Sequence, residues 1–295
     1  MKLSIIDIGT QSIKHYIFEQ NDNKRRLIHY KRYSDANLGE SDVLTLVTIE
    51  RNIRILQMCL DLNAIEKVSK IKIVGTEILR KAQNVTDFTS AVRIISGCEI
   101  EIISQEKEAF YLYEGFLDIV PSGEKFAAIN IGGGSTELIL GTKEQMNTSI
   151  KLPFGAKFIR KTFGEHDEID WQKLDEYLDK EIQISENAPE LFITGVLNFI
   201  TIIESHIPFT ASVGNVPEHP LVLTMKDWWD FILRLRATRL ETLKSYFKKD
   251  PNFCDGTTIG FSVYYTCARK LGVKRVMPSN RDLTDGIIYE MNQPV

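Results

Sequence analysis

Apolar residues along the chain alternate between short runs with a period near two and longer stretches with a helical period, so strands and helices take turns. The first run, residues 4–18, reads SIIDIGTQSIKHYIF. A β-rich apolar stretch meets a turn of Gly, Thr and Ser and resumes as a second β-rich stretch, which is the pattern of a hairpin. Residues 127–141, AAINIGGGSTELILG, repeat it. A shift of 123 positions lays Ile6 on Ile129, Asp7 on Asn130, Ile8 on Ile131, Gly9 on Gly132 and Ser12 on Ser135. Self-similarity of this kind constrains topology more than local propensity does, and it predicts two related halves.

Between the hairpins the spacing predicts a helix over 41–63 opening at a Ser41 cap, a strand over 70–74, a helix over 87–96, a strand over 99–103 and a helix over 105–117. Pro121-Ser122-Gly123-Glu124 interrupts every apolar period and serves as the linker. After the second hairpin the pattern predicts a strand through Leu152, helix from 155 to 186 and a short buried strand over 191–194. A long amphipathic helix follows, with Trp228, Phe231, Ile232, Leu235, Leu240, Leu243 and Phe247 on one face and Thr224 with Asp227 as a capping box. Helices over 256–271 and 282–291 complete an α/β pattern. Only one of the adjacent Trp228 and Trp229 can face the core squarely, and the pair reads as core rather than as a ligand cage.

Composition narrows the chemistry. The 295 residues include 36 Lys+Arg against 40 Asp+Glu, a formal charge of −4, and 43 % apolar residues. That profile excludes a disordered or collagen-like chain and supplies enough apolar surface for a core without metal or disulfide staples. The acidic balance argues against a general nucleic-acid or anionic-membrane binder, so any polyanion must be held by a local site. Cys59, Cys98, Cys254 and Cys267 are scattered and read as buried thiols. His15, His29, His166, His206 and His219 lack zinc-ligand spacing. The opening MKLSIIDIG reaches Asp7 too soon for a signal-peptide core, and the apolar run 191–203 stops at Glu204, short of the ~20 residues of a membrane helix. A cytoplasmic protein is expected. The basic runs Lys24-Arg25-Arg26 and Lys248-Lys249 read as solvated surface.

Gly132-Gly133-Gly134-Ser135-Thr136 is the strongest local signal for chemistry. Three glycines remove every Cβ from a turn and let backbone N–H groups approach an anion, while two hydroxyls add donors. No Lys follows, so it is not a Walker loop, and a strand rather than a helix comes next, so it is not a dinucleotide fingerprint. The first copy, Gly9-Thr10-Gln11-Ser12, has fewer glycines and more side-chain donors. Asp7 ends an apolar strand, where its charge needs a cation, a donor network or water. Glu137 follows the glycine loop and suits Mg²⁺, which takes one or two carboxylates together with waters and phosphates. Glu108 opens a helix, and Arg80 offers a bidentate clamp for phosphate.

The ordered set IIDIGTQS, GTEILRKAQN, IEIISQEKEA, INIGGGSTELILG, LPFGA and MPSNRDLTDGIIYE resembles the exopolyphosphatase and guanosine pentaphosphate phosphohydrolase family, from residue 3 to about residue 291. The resemblance implies the actin-like superfold of sugar kinases, with two ribonuclease-H-like domains around a cleft. The expected domains are 1–120 and 121–281, with the terminal helix, 282–295, packing back on the first. It implies Glu108 as the residue activating the attacking water. It also implies phosphate binding by Gly9, Thr10, Gln11, Ser12, Arg80, Gly132, Gly133, Gly134 and Ser135, and a divalent ion, Mg²⁺, near Asp7, Asn130 and Glu137. The partners implied are polyphosphate or a guanosine polyphosphate, with no nucleic acid and no membrane, and a homodimer left open. The chain departs from the family pattern in four places. Asn130 stands where Asp is usual and Lys107 where Glu is usual. Gly195 alone survives from a Gly-x-x-Gly-Thr loop over 194–199, and Leu283-Thr284-Asp285-Gly286 replaces Leu-Arg-Glu-Gly. These departures support an alternative reading, a catalytically impaired relative that binds polyphosphate or a nucleotide as a regulator.

Overall fold

The structure, a computed structural model, describes all residues except 22–23, 35, 37, 39–41, 205–220, 249 and 293–295. It contains two compact units, Met1–Glu108 and Ala109–Val295. The first comprises β1 (Lys2–Ile8), β2 (Ile13–Asn21), β3 (Lys24–Tyr33), α1 (Leu46–Ile65), β4 (Lys70–Gly75), α2 (Glu77–Lys81), α3 (Val85–Ser96) and β5 (Ile100–Ile102), and ends inside α4 (Gln105–Glu114). The division thus falls ahead of the Pro121–Glu124 punctuation. The second unit continues with β6 (Phe126–Ile131), β7 (Thr136–Gly141), β8 (Met146–Leu152), α5 (Ala156–Phe163), α6 (Trp171–Glu181), β9 (Glu190–Ile193) and α7 (Leu197–Ile203). It closes with β10 (Leu223–Thr224), α8 (Met225–Ala237), α9 (Leu240–Tyr246), α10 (Phe253–Lys270), β11 (Arg275–Pro278) and α11 (Leu283–Met291).

The two sheets have one topology. In the first the order is β3-β2-β1-β4-β5, an antiparallel meander whose opening strand continues as a parallel set through β4 and β5. In the second, β8-β7-β6-β9-β11 reproduces that order and those directions, and β10 adds an antiparallel edge. The α/β class and the doubled topology agree with the internal repeat. Central strands read as continuous apolar runs because both faces are covered: Leu3, Ile5, Ile6, Ala127, Ala128 and Ile129 are fully buried. The core of the first unit gathers Ile6, Ile8, Leu56, Cys59, Phe88 and Val92; that of the second gathers Leu174, Leu191, Trp228, Phe231, Phe261 and Cys267.

Several boundaries differ from the sequence expectation, each for a local reason. α1 begins at Leu46, because the Thr45 hydroxyl accepts the Thr48 N–H at 3.1 Å; Ser41 lies outside the described residues. The helical stretch from 155 breaks at Gly164, where φ is +94°, and restarts as α6 under an Asp170 cap. The long helix past Trp228 is two helices: Thr238 is extended, and the Asp167 carboxylate accepts the Leu240 N–H at 2.9 Å to start α9. β3 escapes pattern reading because KRRLIHYKRY has no clean alternation, a sequence suited to a sheet edge, where charges block further pairing. Arg26 on this strand is exposed, and Lys249 lies outside the described residues. Trp228 is fully buried, whereas Trp229 is half-buried against Tyr265, with ring centroids 4.3 Å apart. Cys59, Cys254 and Cys267 are buried, and burial pushes their thiols up to about 11, 12 and 12; Cys98 is only half-buried. Among the described residues no helix is long and apolar enough to cross a membrane.

Candidate functional site

In open α/β sheets ligands bind beyond the carboxyl ends of the parallel strands. Every predicted site residue lies at such an end. In the first unit β1 delivers Asp7 and the turn Gly9–Ser12, β4 leads into α2 with Arg80, and β5 leads into α4 with Glu108. Thr76 ties the first two ends together, its N–H donating to the Ile8 carbonyl at 3.1 Å.

Arg80 and Glu108 form the central pair of this unit. The Arg80 Nη1 donates to Glu108 Oε2 at 2.9 Å and to the Ile103 carbonyl at 2.8 Å, which fixes the guanidinium plane. Its Nη2 is buried and has no hydrogen-bond partner among the described residues, an expensive arrangement for a charged donor unless a ligand completes it. Glu108 is buried, and its own N–H donates to the Ser104 carbonyl at 2.9 Å, seating it in the first turn of α4. Lys107, one residue earlier, turns instead to Glu101 at 2.6 Å on β5.

At the turn itself the Gly9 N–H donates to the Ser12 carbonyl at 3.0 Å, and a Cβ on Gly9 would stand 3.3 Å from that oxygen. Thr10 and Gln11 are half-buried and Ser12 is buried; among the described residues their side chains are not tied into hydrogen bonds. Asp7, also buried, faces Lys14 across the β1–β2 ladder, with Lys14 Nζ 3.6 Å from Asp7 Oδ2.

The second unit repeats the turn. The Gly132 N–H donates to the Ser135 carbonyl at 2.8 Å, and a Cβ on Gly132 would again stand 3.3 Å from that oxygen. The loop carbonyls are drawn to one side: Gly132 O accepts from Ala156 N at 3.0 Å and Gly133 O from Lys157 N at 2.9 Å, at the start of α5. Among the described residues the N–H groups of Gly133 and Gly134 meet no acceptor, which leaves them for an anion. Asn130 and Glu137 face each other in register, as Asp7 and Lys14 do. The Asn130 amide donates to Glu137 Oε2 at 3.5 Å, and its oxygen accepts from the Thr194 hydroxyl at 2.9 Å. Ser135 Oγ donates to Glu137 Oε1 at 2.5 Å, so the buried carboxylate is oriented from two sides. Ser135 therefore serves Glu137 as well as the loop.

Where the family loop over 194–199 is reduced to Gly195, that residue has φ +68° and Asn198 pairs with Asn280, whose Nδ2 donates to Asn198 Oδ1 at 2.9 Å. His206 and His219 lie outside the described residues. Among those described, no group of three or more His, Cys, Asp or Glu side chains forms a metal cage. The donors present are single hard carboxylates beside phosphate-type turns, which fits Mg²⁺, an ion that keeps most of its waters. Sequence reasoning missed Lys14, Thr194 and Gly155. For Lys14 the signal existed, since the same shift of 123 lays it on Glu137.

A sequence profile of the Ppx/GppA phosphatase family matches residues 11–292. The Ppx/GppA family member of Aquifex aeolicus is 22 % identical and superposes with a TM-score of 0.81, covering 100 % of this chain and 99 % of its own. An exopolyphosphatase from Cytophaga hutchinsonii is 17 % identical, with a TM-score of 0.84 over 99 % of this chain and 97 % of its own. The structural likenesses establish the shared fold, and the profile establishes the kinship. With its doubled phosphate-type turns and its Arg80–Glu108 pair, the chain belongs to the Ppx/GppA phosphatase family.

Proposed function

We propose that the protein releases the terminal phosphate of inorganic polyphosphate or guanosine pentaphosphate, with Glu108 activating the attacking water. The Arg80–Glu108 pair carries this reading: one guanidinium nitrogen orients the carboxylate, and the other, buried with no hydrogen-bond partner among the described residues, would donate to a phosphoryl oxygen. Phosphoryl transfer asks a protein mainly for positioning and charge stabilisation. Glu108 accepts a proton from water as the oxygen attacks the terminal phosphorus, and the bridging P–O bond breaks. The shortened phosphate chain or guanosine tetraphosphate leaves with the bridging oxygen and the bond's electron pair, and the attacked phosphoryl group departs as orthophosphate. Arg80 Nη2 and the donors of the Gly9–Ser12 turn hold phosphoryl oxygens in the first unit, and the N–H groups of Gly133 and Gly134 do so in the second. Each unit has one carboxylate suited to Mg²⁺, Asp7 in the first and Glu137 in the second, and the ion when bound would neutralise phosphate charge. Asn130 contributes no charge to that set.

Asn130 also favours a second reading, binding without turnover, because its two polar ends are engaged by Thr194 and Glu137 rather than offering a carboxylate. One experiment separates the two. Phosphate release is measured from both substrates, with and without Mg²⁺, for the wild type and Glu108→Gln. Release that needs Mg²⁺ and is lost in the variant supports hydrolysis; tight binding with no release selects the regulator; neither binding nor release removes both.

A further inference from the structure

α4 continues past Glu108, and its later residues are held by the C-terminal helix α11. Gly286 of α11 lies directly on the Tyr111 backbone: a Cβ there would stand 2.0 Å from the Tyr111 carbonyl oxygen and 2.7 Å from its Cα. Gly115 answers from the α4 side, where a Cβ would lie 3.0 Å from the Asp282 carbonyl oxygen. Two facing glycines let the backbones approach to a distance that any side chain would forbid. Polar contacts then set the register of the two helices. The Tyr111 hydroxyl, on an otherwise buried ring, donates to Glu290 Oε2 in the last turn of α11. Arg281, just before α11, donates to the Gly115 carbonyl at 2.8 Å and forks onto Asp118 at 2.5 and 3.0 Å.

Glu108 and Tyr111 are three residues apart on one helix, so they share a face and move together. A helix gripped at Tyr111 cannot rotate or slide without carrying the Glu108 carboxylate away from Arg80. We infer that the α11 contact is a positioning device for Glu108, with Tyr111, Gly286 and Glu290 as positioning residues that touch no substrate. This rests on the reading of Glu108 as the group that activates water. It makes the far C-terminal residues of the chain a determinant of turnover, although they lie at no strand end and carry no phosphate ligand.

The test uses the full chain and compares Tyr111→Phe, Glu290→Leu and Glu290→Gln with wild type and Glu108→Gln on polyphosphate. Glu290 is exposed, so its variants fold. Tyr111→Phe and Glu290→Leu are expected to lower kcat ~10–100-fold, the scale of a misplaced reacting group, with KM unchanged within about twofold. Glu290→Gln keeps an oxygen that accepts the phenol proton and retains turnover close to wild type. Wild-type kcat in Glu290→Leu alongside an inactive Glu108→Gln overturns the inference and leaves the hydrolase reading standing. A fall in melting temperature with proportionate loss in kcat and substrate affinity, unrescued by Gln, also overturns it. A wild type that hydrolyses neither substrate removes the hydrolase reading and this inference with it.

Discussion

Arg80 and Glu108, 28 positions apart, meet at 2.9 Å because β4 and β5 are parallel neighbours whose ends launch the helices carrying them. The pair is partly buried, with side-chain exposures of 21 % and 10 %, so it is screened less than a surface ion pair. Glu108→Gln keeps the shape and an oxygen for the Arg80 bond but cannot take a proton. Its kcat is expected to fall ~10²–10⁴-fold with the fold intact. Steady-state phosphate release together with far-UV circular dichroism checks this, and turnover equal to wild type would exclude Glu108 as the base.

Asn130→Asp replaces a neutral bridge by a second carboxylate at a site where the amide now lies 3.5 Å from Glu137. Two carboxylates this close repel, and a divalent cation relieves the repulsion. In chelator the variant is expected to lose about 2 kcal/mol, roughly 4–8 °C in melting temperature, and to recover it as Mg²⁺ is added. Thermal melts across a Mg²⁺ titration give the answer. A variant that melts like wild type at every Mg²⁺ concentration would show that Asn130 and Glu137 do not share a cation site.

Gly155 and Gly195 separate close approach from backbone conformation. A Cβ on Gly155 would lie 2.4 Å from the Gly132 carbonyl oxygen and 2.8 Å from Gly133, so Gly155→Ala must push the phosphate-type loop out of place. The expected cost is ~1–3 kcal/mol, with substrate affinity falling alongside stability. Gly195 has open space but φ +68°, so Gly195→Ala is expected to cost about 1 kcal/mol and to leave affinity at the glycine loop unchanged. Urea melts and equilibrium binding of a phosphate-chain ligand distinguish the two; equal effects would refute the packing argument.

His15 makes stability depend on pH. Burial pushes its imidazole down to about 4 from 6.5; the Asn63 contact at 2.9 Å opposes this, and neighbouring His29 adds to it. His29 is itself lowered, by burial and by Lys31, against the pull of Glu66. The unfolded chain therefore takes up protons near pH 6.5, whereas the folded His15 resists until about 4. The stability is present in full above pH 6.5, declines as pH falls through that window and levels off below it. At about 1.4 kcal/mol per unit the His15 contribution is roughly 3 kcal/mol. Urea midpoints between pH 7.5 and 4.5 should fall in the wild type and flatten in His15→Gln; identical slopes would place the proton uptake elsewhere.

What the sequence determined by itself is the doubled architecture. The repeat at Gly9 and Gly132 is visible because a tight turn between paired strands needs particular residue types at adjacent positions, and such local demands are written locally. The strand ends and the glycine loop were legible for that reason, whereas Arg80 and Glu108 stood out only through the family resemblance. Only the tertiary structure decided the partners: Lys14 against Asp7, Thr194 and Glu137 on the two ends of Asn130, and the Tyr111 hydroxyl on Glu290. It also decided why Gly155 and Gly286 are glycines, since each meets a backbone from a distant part of its own unit. Such relations depend on strand register and helix crossing, which the whole core sets together, and no window of neighbouring residues contains them.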